Sequence, residues 1–256
     1  MSARPILKHA LNIRAGFAET LIPECSTPIT APSMDPEVIW LPPRSSIGSR
    51  HPSLRGKGSS RGTVLDFDAH RALNFESQLE RDLIEILQVH PDILQIVDQP
   101  PPVVYMGRNG RTQHHTFDFL VTTIDQKRHA IAVKPEAKVE KSGIQDVLSR
   151  IRTQVGARFA DHYLLLTDRH ITRDKAVNAR LILHCRRMRN EDDVAIVREI
   201  TRDLMGSFSI SDVVIRSQLG ARGFTAVVGL IDEGWLAPLE NGRIDYPTSI
   251  SRVSGK

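Results

Sequence analysis

The chain is poor in cysteine and has no long hydrophobic run, and each shortage excludes a class of protein. Its 256 residues include two cysteines, Cys25 and Cys185, which lie far apart and outside any CxxC or Cys/His ligand pattern. This spacing favours free thiols over a disulfide or a zinc site. No apolar run approaches the roughly 20 residues that a membrane-spanning helix needs, and the N-terminus lacks the features of a signal peptide. We therefore expect a cytoplasmic protein without membrane contact.

Acidic residues are absent between positions 44 and 61, where serines and glycines separate the basic side chains. Those basic residues are Arg44, Arg50, Arg55, Lys57 and Arg61. Prolines interrupt every apolar run before this region ends, so we predict a flexible basic arm over residues 1–70. The arm is either a solvated linker or a segment that contacts phosphates. The net charge of +4 suits a polyanionic partner but does not require one.

A mixed pattern of helices and strands follows the arm. Asn74 is the predicted cap of an amphipathic helix. Three strand-like runs come next, PPVVYM, TQHHTFDFLVTT and HAIAVK, and the first two are joined by an Asn109-Gly110 turn. We expect these runs to form an antiparallel meander. A helix from Ile144 and a buried strand, HYLLLTD, parallel to a meander strand, complete a predicted αβββαβ core over residues 70–175.

The C-terminal segment has a different pattern, which predicts a helix, a turn, a second helix and a short hairpin. Gly220 and Gly223 mark the break between the helices. We therefore predict a core domain over 71–190 and a small helical, winged-helix-like domain over 191–256. The second helix, residues 224–233, contains no lysine or arginine. This composition favours contact with protein over reading of a DNA major groove.

Glu80, Asp118 and Lys134 are the candidate catalytic residues. Glu80 lies at the edge of the apolar stripe of its helix, Asp118 lies in a predicted strand, and Lys134 ends the neighbouring strand. Hydrolysis of a phosphodiester requires neutralisation of the phosphate charge and activation of a water molecule. Carboxylate oxygens that hold Mg²⁺ supply much of this, and a lysine offsets charge in the transition state.

Four stretches of the chain resemble the N-terminal endonuclease domain of TnsA, the nuclease partner in heteromeric cut-and-paste transposases. They are FESQLERDLIEIL, DQPPPVVY, GRTQHHTFDFLV and IAVKPEA, and the resemblance extends over residues 44–175. It implies a mixed α/β (α+β) fold with the restriction-endonuclease-like core of the PD-(D/E)xK superfamily. The C-terminal segment occupies the place of the helical C-terminal domain of that family.

The resemblance also assigns roles to particular residues. Glu80 is similar to the helix glutamate of the family, Asp118 to the metal-binding aspartate, and Lys134 to the catalytic lysine. The backbone carbonyl of Val133 takes the place of a further metal ligand. The implied cofactor is Mg²⁺, with Mn²⁺ as an alternative. Phe117 stands where the family pattern has proline, and we expect this difference to have little effect.

Ala132 is the serious departure from the family pattern. It stands where the superfamily has glutamate and where TnsA-like proteins can have glutamine. Alanine has no side-chain oxygen and therefore cannot bind a metal. Other groups could complete the site, with Glu136 as a candidate substitute beside the more common interpretation of a solvated acid. Alternatively, Ala132 is an engineered inactivating change or a natural loss of activity.

Three functions stay open on the sequence. The resemblance implies a metal-dependent DNA endonuclease that cuts at the 5′ ends of a mobile element. Its implied partners are the DNA of the transposon ends, a TnsB-like transposase and a TnsC-like AAA+ ATPase. The alternatives are a catalytically silent nuclease fold that serves DNA binding or assembly, and a stand-alone restriction-type nuclease.

Overall fold

The computed structural model describes residues 41–50 and 60–253, and the described residues from position 43 onward fall in one compact unit. The strands are β1 (Gly62–Asp66), β2 (Arg71–Phe75), β3 (Ile93–Asp98), β4 (Val103–Met106), β5 (Thr112–His115), β6 (Phe119–Thr123), β7 (Arg128–Val133), β8 (His162–Leu166), β9 (Ser207–Ser209), β10 (Leu236–Pro238) and β11 (Ser249–Arg252). The α-helices are α1 (Gln78–Val89), α2 (Glu136–Ser142), α3 (Ile144–Gln154), α4 (Arg173–Arg187), α5 (Glu191–Arg202), α6 (Ile210–Ser217) and α7 (Ala221–Asp232).

A four-stranded sheet in the order β3-β6-β7-β8 forms the centre of the fold. The β7–β8 pair is parallel, as the sequence predicted, and the other two pairs are antiparallel. Helix α1 covers one face, where Leu83 and Ile84 pack with Phe119. Helix α3 covers the other, where Ile144 and Ile151 pack with alanines of β7. The chain order α1, β3, β6, β7, α3, β8 confirms the predicted fold class.

The strand that begins the central sheet differs from the prediction. The predicted first strand, PPVVYM, instead forms β4, which pairs with β5 in a separate two-stranded sheet. The true neighbour of β6 is β3. The chain leaves β3 through Gln99, which has a positive φ of 42°, and then through Pro100–Pro102, which have no N–H groups for a strand ladder. The β4–β5 hairpin is therefore an insertion between β3 and β6.

Helix α1 begins later than the sequence suggested. Its N-cap is Ser77, whose Oγ accepts a hydrogen bond from the N–H of Glu80 at 3.2 Å. Asn74 lies in β2, opposite Thr63 of β1. The β1–β2 hairpin thus occupies the end of the region predicted to be a flexible arm. Its outer edge is also occupied, because Arg44 forms a parallel bridge with Arg71.

The C-terminal segment contains the predicted helices, turn and hairpin. Helices α5, α6 and α7 enclose an apolar cluster with a three-stranded antiparallel sheet of order β10-β11-β9. Helix α7 lies at the centre, and its Val227, Val228 and Leu230 are fully buried. Helix α4 joins this segment to the core, because its Arg180 pairs with Asp82 and Glu85 of α1 while the next turns contact α7.

Within residues 41–50 and 60–253, no helix combines the length and the apolar character needed to cross a bilayer. Cys185 is a buried free thiol, and Cys25 lies outside the described residues.

Candidate active site

Asp118 lies just before β6, where the chain enters the central sheet from the β4–β5 hairpin. Its backbone N–H donates to the carbonyl of Ile131 at 3.0 Å, and its own carbonyl accepts from Gln99 at 2.9 Å. Its Oδ2 accepts a hydrogen bond of 2.6 Å from the N–H of Val133. These three contacts hold the backbone and the carboxylate of Asp118 in place. The carboxylate lies against Val133, which ends β7 and directly precedes Lys134.

Phe117 anchors the chain immediately before Asp118. Its side chain is fully buried and is among the largest buried side chains of the described residues. The ring packs against Phe159 and Tyr163, each at 5.7 Å between ring centroids, and against the edge of His115 at 4.7 Å. A proline could not make these contacts, so the departure from the family pattern at this position has a structural role.

Glu80 enters the site from the first turn of α1. The sequence Ser77-x-x-Glu80 has the capping-box pattern, but here Glu80 reaches back to the N–H of the residue before the N-cap. Its Oε1 accepts from the Oγ of Ser77 at 2.8 Å, and its Oε2 accepts from the N–H of Glu76 at 2.7 Å. Only 8% of the residue is exposed. The carboxylate is therefore fixed in a sheltered position.

The charges around Asp118 show which groups face it. Burial is the main cause that raises its pKa from 3.8 to about 6, and the hydrogen bond from Val133 opposes this. The negative charges of Glu80 and Glu76 raise the pKa further, whereas the positive charge of Lys134 lowers it. Glu80, Lys134 and Glu76 thus all lie close enough to Asp118 for their charges to affect its pKa.

Lys134 follows β7, and its backbone N–H donates to the carbonyl of Leu166 at 3.1 Å. Its half-buried ammonium forms no ion pair with any residue that the structure describes. A lysine without a fixed partner next to a carboxylate pair is available to a phosphate group.

His115, in β5, lies close enough to Lys134 to be affected by its charge. Burial, and then the charge of Lys134, lower the pKa of its imidazole, which is therefore neutral at pH 7. Its Nε2 is buried and has no hydrogen-bond partner among the described residues. His114, its neighbour in β5, is exposed. The signal for His115 was its position opposite Val103, whose side chain points into the core.

Ala132 is 1% exposed and lies in an apolar cluster with Phe117, Ile144 and Ile151. The position of the missing acid is thus filled by carbon atoms. Glu136, the candidate substitute, forms an ion pair of 3.4 Å with Arg169, and its N–H donates to Asp168 at 2.7 Å. Its carboxylate therefore pairs with Arg169 and does not take the place of the missing acid beside Asp118.

The donor set fits a small hard cation in part. Across the described stretches of the chain, no three His, Cys, Asp or Glu side chains form a metal-binding group. However, Mg²⁺ is commonly bound by only one or two carboxylates and keeps several waters. Glu80 and Asp118 supply that number of carboxylates, and the carbonyl of Val133 is the further ligand that the family resemblance implies. Burial is the main cause of the raised pKa of Asp118, and a cation would relieve the smaller contribution from the negative charges of Glu80 and Glu76.

The basic residues predicted to contact DNA have different environments. The guanidinium of Arg44 donates to the carbonyl of Ala69 at 2.8 Å, and that of Arg50 pairs with Glu76 at 2.7 Å. Arg61 is half-buried just before β1. Arg55 and Lys57 lie outside the described residues. Residues 44–50 are therefore held against the core, unlike the flexible arm that we predicted.

Comparison with known protein families supports the resemblance seen in the sequence. Residues 90–175 match the family described as TnsA-like endonuclease N terminal. The match extends from the residues before β3 to the start of α4 and includes Asp118, Ala132 and Lys134. The TnsA-like character of this segment is thereby confirmed. A search of curated proteins gives no match for the chain.

Proposed function

We propose that the chain is the DNA endonuclease subunit of a transposase and that it cuts at the 5′ ends of the mobile element with the help of a divalent cation. The observation that carries this proposal is that the Asp118 carboxylate is bonded to Val133, next to Lys134, with Glu80 near enough to affect its pKa, in a chain whose residues 90–175 are TnsA-like. This arrangement combines one carboxylate from a helix, one from the residue before β6, and a lysine from the residue after β7. That set supplies ligands for a hard cation and a positive charge for the phosphate.

The proposed chemistry divides between the cation and the residues. Mg²⁺, or Mn²⁺ in its place, would be held by Glu80, Asp118 and the carbonyl of Val133, and when bound it would neutralise charge on the phosphodiester. Val133 keeps the Asp118 carboxylate oriented by the hydrogen bond of 2.6 Å. Lys134 donates hydrogen bonds to the phosphate oxygen or to the attacking water as negative charge develops.

The proposed partners are transposon-end DNA, a TnsB-like transposase and a TnsC-like AAA+ ATPase. The C-terminal segment suits a role in protein contact. Helix α7 occupies the recognition position of a helix-turn-helix, yet its central residues are buried, and its residues 224–232 contain no lysine or arginine. The one basic residue of the helix, Arg222 in its first turn, is paired with Asp193, so the helix offers few free donors to a major groove. Sequence specificity would then come from the partner proteins.

Replacing Lys134 with alanine should lower the rate of DNA cleavage by about 10²–10³-fold, because one charged donor to the transition state is lost. The measurement is the cutting of labelled element-end DNA in Mg²⁺ or Mn²⁺ with the partner transposase and ATPase present. The wild-type chain should produce cuts at the 5′ ends. Lys138→Ala is the matched control, because Lys138 lies on the exposed surface of the next helix.

A second candidate function is a catalytically silent nuclease fold that serves DNA binding or assembly. It is favoured by the apolar surroundings of Ala132, which hold no substitute oxygen. Ala132→Gln and Ala132→Glu belong in the same cleavage assay. If the wild-type chain and both variants bind DNA and partners but none of them cuts, the endonuclease proposal fails. Cutting without any partner would favour a stand-alone nuclease.

A further inference from the structure

Residues 44–50 form a segment that is fastened to the edge of the candidate active site. The hydroxyl of Ser46 donates to both carboxylate oxygens of Asp98, at 2.6 and 2.8 Å, and Asp98 is fully buried. The N–H of Ser49 donates to the carbonyl of Gln99 at 2.8 Å. A buried carboxylate must be hydrogen-bonded to be tolerated, so these contacts hold the segment firmly against the end of β3.

Gly48 permits this close approach. A Cβ atom at this position would lie 2.6 Å from the backbone oxygen of Asp98, a distance that real Cβ contacts do not reach. The segment can therefore pass this point only as glycine. This close contact at Gly48 therefore sets the path of Ser49 and Arg50, the last two residues of the segment.

Gln99 connects the segment to Asp118. It is 2% exposed and has a φ of 42°, in the left-handed region that costs a non-glycine residue free energy. Its N–H donates to the carbonyl of Asp118 at 2.9 Å. Its side-chain Oε1 accepts from the Nε of Arg50. A single strained residue thus contacts both the catalytic aspartate and Arg50.

Arg50 is held by two bonds and still presents a free edge. Besides Gln99, it contacts Glu76, whose Oε2 accepts from its Nη2 at 2.7 Å. The N–H of Glu76 in turn donates to Glu80. The arginine side chain is 56% exposed, and its Nη1 has no hydrogen-bond partner among the residues described. A guanidinium has five N–H donors, so several stay available to a ligand.

We propose that Arg50 is a phosphate-binding residue of the active site, and that Gln99 and Glu76 hold its guanidinium in a fixed position relative to Asp118. This inference rests on the proposed function and adds a substrate contact to it. The carboxylates of Glu76, Glu80 and Asp118 repel a phosphodiester, and Arg50 offsets that repulsion on the side opposite Lys134's strand. Because its Nη1 edge is free, a phosphate oxygen binds without displacing Glu76. Arginine suits this task because its planar fork matches phosphate geometry.

The test measures DNA affinity under conditions in which no cleavage occurs. Fluorescence anisotropy of a labelled duplex in EDTA, over a series of salt concentrations, is carried out with the wild-type chain and with Arg50→Ala, Arg50→Lys and Arg243→Ala. Arg243 is the matched control, because it is about as exposed as Arg50 and also pairs with a carboxylate, that of Asp174, but lies in the C-terminal segment. Melting temperatures of all four proteins report on folding.

Arg50→Ala should weaken binding about tenfold and reduce the slope of log K against log salt by about one, as expected for the loss of one phosphate contact. Arg50→Lys should keep the slope but lose part of the affinity, and Arg243→Ala should stay within about twofold of wild type. The proposal is overturned if Arg50→Ala leaves affinity and slope unchanged, or if Arg243→Ala causes the same loss. It is also overturned if Arg50→Lys, folded, has the slope of Arg50→Ala.

This outcome is independent of whether the chain cuts DNA. A selective effect of Arg50 on binding, together with no cleavage by the wild-type chain, would keep Arg50 as a phosphate contact in a silent module. Normal cleavage with no effect of Arg50 would refute the Arg50 proposal and leave the endonuclease proposal standing.

Discussion

Replacing Phe117 with alanine should lower the free energy of unfolding by about 3–5 kcal/mol, the usual range for truncation of a buried aromatic residue. Phe117 is fully buried and packs with Phe159, Tyr163 and His115 between the hairpin and the central sheet. Alanine would leave a cavity that these rings cannot fill. Chemical denaturation followed by circular dichroism measures the loss.

Phe67→Ala is the matched control, because Phe67 is 49% exposed and lies under the guanidinium of Arg187. Its truncation should cost about 1 kcal/mol or less. Phe117→Leu, which retains most of the volume, should cost less than Phe117→Ala. If Phe117→Ala unfolds within about 1 kcal/mol of the wild-type chain, then the aromatic cluster does not anchor the entry to Asp118, and this description of the site is wrong.

Replacing Asp118 with asparagine should stabilise the cation-free chain at neutral pH while it removes the proposed cation site. The pKa of Asp118 is about 6 in the folded chain, above its ordinary value of 3.8, mainly because of burial. A raised folded-state pKa means that protonated Asp118 favours folding. This contribution is fully present below about pH 4 and is lost as the pH rises through about 6. Asparagine is neutral throughout and retains it.

The difference in unfolding free energy between Asp118→Asn and the wild-type chain should therefore grow by about 2 kcal/mol from pH 4 to pH 7.5 in EDTA. Asparagine Oδ1 can still accept the N–H of Val133, so the backbone contact survives. Asp146→Asn is the control with the opposite sign, because Arg108 and Arg150 lower the pKa of Asp146 to about 2. A pH-independent difference for Asp118→Asn would show that its carboxylate is not strained by burial and neighbouring charge.

Much of the core could be predicted because its signals are local. The apolar run of β8 and the amphipathic pattern of α3 each depend on a few adjacent residues. The spacing of Asp118 and Lys134 is likewise contained in one short stretch of the chain. The role of β3 could not be predicted in this way, because a complete hairpin separates β3 in the sequence from its partner β6. The NG turn correctly predicted that hairpin, but not that it forms a sheet of its own.

The fastened segment illustrates a second limit. Residues 44–50 are rich in serine and glycine, a composition that normally predicts a flexible linker. What orders them is a buried acceptor, Asp98, and a strained one, Gln99, which lie about fifty residues away in the chain. Composition reports the local tendency to be flexible, whereas long-range hydrogen bonds decide the outcome.

The structure removes support for one interpretation of Ala132, in which Glu136 replaces the missing acid. From the sequence, its missing oxygen could be replaced by Glu136, yet that carboxylate pairs with Arg169. The proposed ligands that remain are Glu80, Asp118 and the carbonyl of Val133. Whether these are sufficient for a cation is the point on which the proposed endonuclease and the silent alternative differ.

That point can be tested by measuring Mn²⁺ binding to the wild-type chain and to Asp118→Asn by electron paramagnetic resonance at pH 7.5. The wild-type chain should bind one ion that Mg²⁺ displaces, and Asp118→Asn should bind it at least about tenfold more weakly, since one charged ligand is lost. Asp125→Asn, whose carboxylate pairs with Lys127, is the control and should bind like the wild-type chain. If the wild-type chain binds no Mn²⁺, or if Asp118→Asn binds it equally well, a cation site at Glu80 and Asp118 is contradicted.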